Sequence, residues 1–151
     1  MLDCFKEGFL LALEVSCHSF IRMAKLAEPL IPNGGCLLTV SFYGAEQVVE
    51  HYDMMGLVKA ALESSVRYLA AELGNQKIRV NVLSPGPLAT RAASGIDRFD
   101  ELLRRTAERA PTHRLVTVDE IGPSAAFLAS DAARQITGQV VYIDGGYHVI
   151  D

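Results

Sequence analysis

The sequence predicts an α/β fold built on a small parallel sheet. Three short runs, at residues 36–41, 78–84 and 139–144, read as strands; the first is apolar without the every-second-residue alternation of a strand with one wet face, so it reads as a buried parallel strand. Between them lie longer stretches with apolar residues at three- and four-residue steps, the period of a helix. Strands that alternate with helices are joined by right-handed crossovers, which produce a parallel sheet.

Each element has its own signal. Residues 3–30 read as one long helix, with Phe5, Phe9, Ala12, Leu13, Ser16, Phe20, Ala24 and Ala27 on one periodic face; Pro29, Pro32 and Gly34-Gly35 end it. The first strand is 36–41, and 42–50 is a loop. Residues 52–73, rich in Ala, Leu, Met and Glu, form a second long helix with Gly74-Asn75 as its expected C-cap. The second strand, 78–84, is stopped by Pro85-Gly86-Pro87. A polar stretch follows, with a weaker helix near 98–109. Thr117 with Glu120 makes a capping-box pattern that opens a helix to about Ser130. Gly138 precedes the third strand, which Gly145-Gly146 closes. The order is α-β-α-β-α-α-β. Such a chain opens on a helix and has a very small sheet, so it looks like the second half of something larger.

Composition narrows the function. The chain has 151 residues, 50% hydrophobic and 21% charged, the make-up of one ordinary globular domain. A net charge of -4 argues against a general nucleic-acid surface. Cys4, Cys17 and Cys36 form no CxxC pair, so neither a disulfide framework nor a zinc pattern is expected, and a reducing cytoplasm is the natural home. His18, His51, His113 and His148 are scattered, so no metal site is expected; Ser41, Ser84 and Ser94 lack a GxSxG elbow. No apolar run reaches the roughly 18 residues of a membrane span, and no signal peptide opens the chain.

In open parallel sheets, ligands sit beyond the carboxyl ends of the strands. Here those ends carry Ser41-Phe42-Tyr43, residues 84–88 and Asp144-Gly145-Gly146, the last read as a turn former. Tyr52 and Lys59 are seven apart on the second helix, so at about 100° per residue they share a face. Lys59 is a lone cation in an uncharged run from Met54 to Leu62, and such a cation usually has a specific partner. A nearby ammonium lowers a phenol's pKa and improves it as a hydrogen-bond donor to a developing oxyanion.

The run 41–46, then Tyr52-x6-Lys59, then 60–63 and 66–69, closely resembles enoyl-acyl-carrier-protein reductases, the divergent branch of the short-chain dehydrogenases. Residues 78–87 with Thr90 and 92–96 match the family's cofactor and substrate loop, and 122–129 and 138–146 match its C-terminus. Ordinary superfamily members space the pair as Tyr-x3-Lys. The resemblance implies the C-terminal portion of a Rossmann-like doubly wound sheet, about three strands with helices on both faces, as a single domain over 1–151.

It also implies chemistry: reduction of a trans-2-enoyl thioester on acyl-carrier protein by NAD(H) in fatty acid elongation. Tyr52 would donate to the thioester carbonyl oxygen and Lys59 would hold the nicotinamide ribose hydroxyls. Leu88, Ala89, Thr90, Arg91 and Ala92 would line the cofactor; Phe42, Met55, Ala92, Ala93, Ile96 and Phe99 would surround the acyl chain. The family's assembly is a tetramer. Two departures stand out. Phe42 occupies the place of a family Tyr, and the 151 residues hold no Gly-rich turn of the dinucleotide-binding βαβαβ unit. Weak or absent activity of this chain alone is therefore the expectation. A non-catalytic, self-associating fragment and another short-chain dehydrogenase/reductase remain as alternatives.

Overall fold

The computed structural model describes residues 2, 4–88 and 98–150. Its sheet is three parallel strands in the order β1 (Gly35–Val40), β2 (Ile78–Pro85) and β3 (Val140–Ile143). Gly35 stands opposite Ile78 and Val40 opposite Leu83; Val82 stands opposite Val140 and Pro85 opposite Ile143. Successive side chains leave a strand on opposite faces, and here they feed two cores. On one face Leu37, Ile78, Val80 and Val82 pack with Cys17, Phe20 and Ala24 and with Leu62, Val66 and Leu73. On the other, Leu83, Leu38, Val141 and Ile143 pack with Ile121, Ala125 and Leu128. The doubly wound sheet expected from the sequence is thus present.

Only β2 is buried along nearly its whole length; β1 and β3 are largely half-buried, because each has one open edge in this three-stranded sheet. That corrects the expectation of a buried first strand. Polar side chains pin the central strand. Asn81 donates from Nδ2 to the Ile136 carbonyl at 2.8 Å and accepts from the Gln139 amide at 3.0 Å, fixing the entry to β3.

The expected first helix ends at Leu30 as read, but it starts at Lys6 rather than at residue 3, and its winding is not uniform. Helix α1 (Lys6–Leu13) passes through a π turn (Glu14–His18) into α2 (Ser19–Ala27) and a 3-10 turn (Glu28–Leu30). Ser19 donates from Oγ to the Val15 carbonyl at 2.6 Å, the side-chain back-bonding that loosens a helical ladder. A π turn shifts the phase of the buried stripe: α1 buries no residue, whereas Cys17 within the turn and Phe20 and Ala24 after it are buried.

Helix α3 (Met54–Leu73) starts two residues later than expected. Its end is also different. The chain continues through a 3-10 turn (Gly74–Gln76), and Lys77, at φ 62°, takes the left-handed position expected of Gly74-Asn75. Helix α4 (Phe99–Arg109) and helix α5 (Val118–Ala129) fall where the sequence puts them. The capping box closes as read: Glu120 Oε2 accepts from the Thr117 amide at 2.9 Å.

Candidate active site

The carboxyl end of β1 is where the candidate residues gather. After Val40, Ser41 still pairs with the sheet through its amide, bonded to the Leu83 carbonyl at 2.8 Å. The chain then tightens into a 3-10 turn at Tyr43–Ala45. Phe42 packs edge-on against Tyr43 (centroids 4.6 Å) and against Tyr52 (5.0 Å, planes at 66°).

Tyr52 lies in the turn before α3, not on the helix, which corrects the shared-face geometry read from the sequence. The cause is local: His51 (φ 62°) and Asp53 (φ 43°) flank it in the positive-φ region, where L residues rarely sit. Two glycines make room for this path. A Cβ on Gly44 would stand 2.6 Å from Tyr52 Cδ1, and one on Gly56 would stand 2.7 Å from the Gly44 carbonyl oxygen. The turn after β1, the Tyr52 ring and the first turn of α3 are therefore in direct contact.

Lys59 has the specific partner that its apolar surroundings called for. Its Nζ donates to the Val40 carbonyl at 2.9 Å. Burial lowers its pKa, and the nearby Glu63 charge opposes that. Glu63, one turn further along α3, is 3% exposed and accepts from Ser41 Oγ at 2.5 Å. Burial raises the Glu63 pKa, with the Ser41 bond acting the other way.

Tyr52 departs from expectation in its ionisation too. Its pKa is pushed up to about 12, first by burial and then by the Glu63 charge. The expected lowering by Lys59 is not what this arrangement produces. The consequence still suits a donor, because a phenol with a raised pKa stays protonated and can give its hydrogen to an oxyanion.

The remaining predicted residues divide by location. Phe42 and Met55 are half-buried beside Tyr52 in the turn and on the first turn of α3, and Leu88 is half-buried just beyond the end of β2. Phe99, half-buried, opens α4. Ala89, Thr90, Arg91, Ala92, Ala93 and Ile96 lie outside the described residues. The Ser41–Glu63 pair was missed; its available signal was a Glu four residues after Lys59, hence on the same helical face.

Next to this cluster opens a cleft of about 540 Å³, walled by Tyr43, His51, Arg105, Tyr147 and His148 among others. Tyr43 packs edge-on against Tyr147 at 5.4 Å. Asp144 is a turn former as read: its carboxylate accepts from the Gly146 and His148 amides and lies 2.8 Å from His148 Nδ1. Gly86 lets the end of β2 approach this turn, since a Cβ there would sit 3.1 Å from that of Asp144.

A doubly wound parallel sheet with a Tyr-x6-Lys pair at a strand's carboxyl end defines a member of the short-chain dehydrogenase/reductase class. The family model for enoyl-(acyl carrier protein) reductase matches residues 1–148. The chain belongs to that family. It is 46% identical over 149 residues to enoyl-acyl-carrier-protein reductase (NADH) 1 of Rhizobium meliloti, covering 99% of this chain and 55% of the relative. The Escherichia coli enoyl-acyl-carrier-protein reductase (NADH) is 44% identical over 144 residues, 95% of this chain and 55% of its own length. Among solved structures, the Bacillus cereus enoyl-acyl carrier protein reductase with NADP+ and an indole naphthyridinone superposes with a TM-score of 0.97 at 44% identity, covering 99% of this chain and 58% of that one. The Anaplasma phagocytophilum enzyme in complex with NAD superposes with a TM-score of 0.94 at 49% identity, covering 99% and 57%. The chain thus spans little more than half the length of these relatives.

Proposed function

We propose that this chain carries the catalytic pair of a reductase that reduces trans-2-enoyl thioesters, borne on acyl-carrier protein, with NADH in fatty acid elongation. The observation that supports it is geometric: the Tyr52 ring packs on Phe42, and the half-buried Lys59 ammonium donates to the Val40 carbonyl, both at the carboxyl end of β1.

The residues suit a nicotinamide cofactor. An ammonium carries three N–H donors, and Val40 is the one acceptor it meets among the described residues, so Lys59 keeps donors for the ribose hydroxyls. NADH, when bound, supplies the hydride that the β-carbon of the substrate accepts. As electrons move onto the thioester oxygen, Tyr52 gives that oxygen a hydrogen bond that strengthens as charge develops. Leu88 with residues 89–92 lines the cofactor in this reading. Phe42, Met55, Ala93, Ile96 and Phe99 surround the acyl chain and keep water from it.

The catalytic pair lies on this chain, and the Gly-rich turn of a dinucleotide half-site does not occur in its sequence. The 151 residues alone are therefore expected to bind NADH weakly and to turn over little, because adenine and pyrophosphate contacts position the nicotinamide. Calorimetric titration with NADH and an assay on a short enoyl thioester test this. Micromolar affinity with ordinary turnover from the chain alone would overturn the half-site argument. A chimera with the amino-terminal part of the Rhizobium relative should reduce the thioester; a folded, NADH-binding chimera without that activity would overturn the reductase reading. The same reading places the protein in the cytoplasm as a homotetramer. No helix among the described residues is long and apolar enough to cross a membrane.

A further inference from the structure

Four aromatic rings run in contact from the turn after β3 to Tyr52. Tyr147 meets Tyr43 at 5.4 Å, Tyr43 meets Phe42 at 4.6 Å, and Phe42 meets Tyr52 at 5.0 Å. Each pair is edge-on, with planes at 82°, 61° and 66°, the arrangement that ring quadrupoles favour. Such packing depends on orientation, so turning one ring disturbs the next.

The row is fixed at its Tyr147 end. Asp144, its side chain 3% exposed, accepts from the Gly146 amide at 2.9 Å and lies 2.8 Å from both the His148 amide and His148 Nδ1. His148 stacks on Tyr142 of β3, with centroids 3.7 Å apart. Gly145, at φ 67°, leaves no room for a Cβ against Thr112.

At the Tyr52 end the backbone fixes less. Tyr52 precedes α3 and sits between two residues of positive φ, so no helical ladder orients its ring. Beyond Ser41 the chain has left the sheet: the amides of Ala45, Glu46 and Gln47 turn back to the Phe42 and Tyr43 carbonyls. Side chains therefore set the place of this turn relative to the sheet. Two of them tie it to the turn after β3. The buried Tyr43 ring packs on Tyr147, and Gln47 Nε2 donates to the His148 carbonyl at 2.9 Å.

We propose that Tyr147 is a positioning residue for Tyr52: the rigid turn after β3 holds the turn after β1 through Tyr147 and Gln47, and that turn sets the angle of the phenol through Phe42. This rests on the reading of Tyr52 as the donor to the thioester oxygen. Lys59 is held separately, by Val40 ahead of the turn, so Tyr147 acts on the phenol and not on the group that meets the cofactor's ribose.

The first test reads the ring itself, by nuclear magnetic resonance of the 151-residue chain carrying isotope-labelled tyrosine, with the Tyr52 signal assigned through Tyr52→Phe. Tyr147→Leu, which removes the ring, should shift the ring signals of both Tyr43 and Tyr52. Tyr147→Phe, which keeps it, should leave them near their wild-type positions. Tyr68, 77% exposed on α3, is the reference that stays. An unmoved Tyr52 signal in folded Tyr147→Leu protein overturns the proposal. So does a Tyr52 signal that Tyr147→Phe shifts as far, or one that moves together with Tyr68. Should Tyr147→Leu fail to fold by circular dichroism, Gln47→Ala decides, because Gln47 is exposed. It should shift Tyr52 as well, and an unmoved signal overturns the proposal.

The second test is kinetic, in the chimera with the amino-terminal part of the Rhizobium relative. Tyr147→Leu should lower kcat by roughly tenfold to a hundredfold, the loss that a misplaced catalytic group brings, and leave the KM for NADH in place. Tyr147→Phe should restore kcat. An unchanged kcat, or equal losses in kcat and NADH affinity, overturns the proposal. The ring signals are read without cofactor or substrate, so failure of the positioning role is distinct from failure of the reductase reading.

Discussion

Lys59 reaches from the interior of α3 to the carbonyl of Val40, the last residue of β1, at 2.9 Å. That bond fixes the helix against the strand end on which Phe42 and Gly44 cradle the Tyr52 ring. The ammonium and the phenol are thus held by the same few residues, 40–44, although Tyr52 lies outside the helix that carries Lys59.

The first prediction concerns the phenol. Tyr52→Phe keeps the ring contact with Phe42 and removes the donor. In the chimera with the amino-terminal part of the Rhizobium relative, turnover should fall by roughly 10²–10³, the usual loss when one oxyanion donor is removed. The dissociation constant for NADH should change little, because the bond is strong only when charge has developed. Equal losses in cofactor affinity and turnover would count against the role.

Gly44 gives the second. A methyl group there collides with the Tyr52 ring at 2.6 Å and 2.9 Å, and that ring is already packed edge-on against Phe42. Gly44→Ala should cost about 1–3 kcal/mol, the usual penalty of overpacking, and should also lower turnover by displacing Tyr52. Denaturant unfolding reads the first effect and the chimera's assay the second. A variant as stable and active as wild type would mean the turn yields freely.

How much of this was legible follows from particular residues. The strands and α5 were readable because their signals are local: Ile78, Val80, Val82 and Leu83 crowd a short stretch between Gly74 and Pro85, and Thr117 and Glu120 sit at capping-box spacing. The π turn at Glu14–His18 was not, since a shift of helical phase leaves the apolar steps around it nearly unchanged. The position of Tyr52 was hidden for a different reason. His51 and Asp53 adopt positive φ although nothing in their own type demands it, and the contact of Gly44 with Gly56 that goes with this path joins residues twelve apart. The Lys59 partner was foreseen in kind but not in identity, because a backbone carbonyl has no signature in sequence.

The third prediction is a pH dependence. The Arg114 bond and the Thr117 amide hold the Glu120 pKa down at about 2, against an ordinary value of 4.5. A carboxyl whose folded pKa is depressed stabilises the fold above its unfolded value, and that contribution is lost as pH falls through the folded one. Stability should therefore decline between about pH 4.5 and 2 in part through this group. Glu120→Gln should flatten that part of the acid limb in thermal melts, with little change at neutral pH beyond the weakened cap. Because Glu120 is on the surface, high salt should shrink the difference. Identical acid limbs for variant and wild type would remove Glu120 from the account.

The last prediction concerns the outer face of the first helical rod. Val15 and Leu26, each 61% exposed, line an open cleft of about 710 Å³ together with Leu11, Met23 and Leu30. So much exposed apolar surface on one face marks an interface. Its charges suit a second copy of the same chain: Glu14 and Arg22, also in the cleft, lie four residues either side of His18. If two rods pack antiparallel about a two-fold axis at His18, Glu14 of each meets Arg22 of the other, as an isologous contact requires. Such surface ion pairs add little energy and act mainly on register, so the apolar residues carry the association. Sedimentation of the wild-type chain should show oligomers at micromolar concentration. Val15→Glu with Leu26→Glu should give a monomer with the same far-ultraviolet circular dichroism, since neither side chain belongs to the buried core. Arg22→Glu alone should weaken the dimer through like-charge contact with Glu14, and Glu14→Arg added to it should restore it. A folded wild-type chain that sediments as a monomer, or a double charge swap that fails to restore association, would overturn this interface.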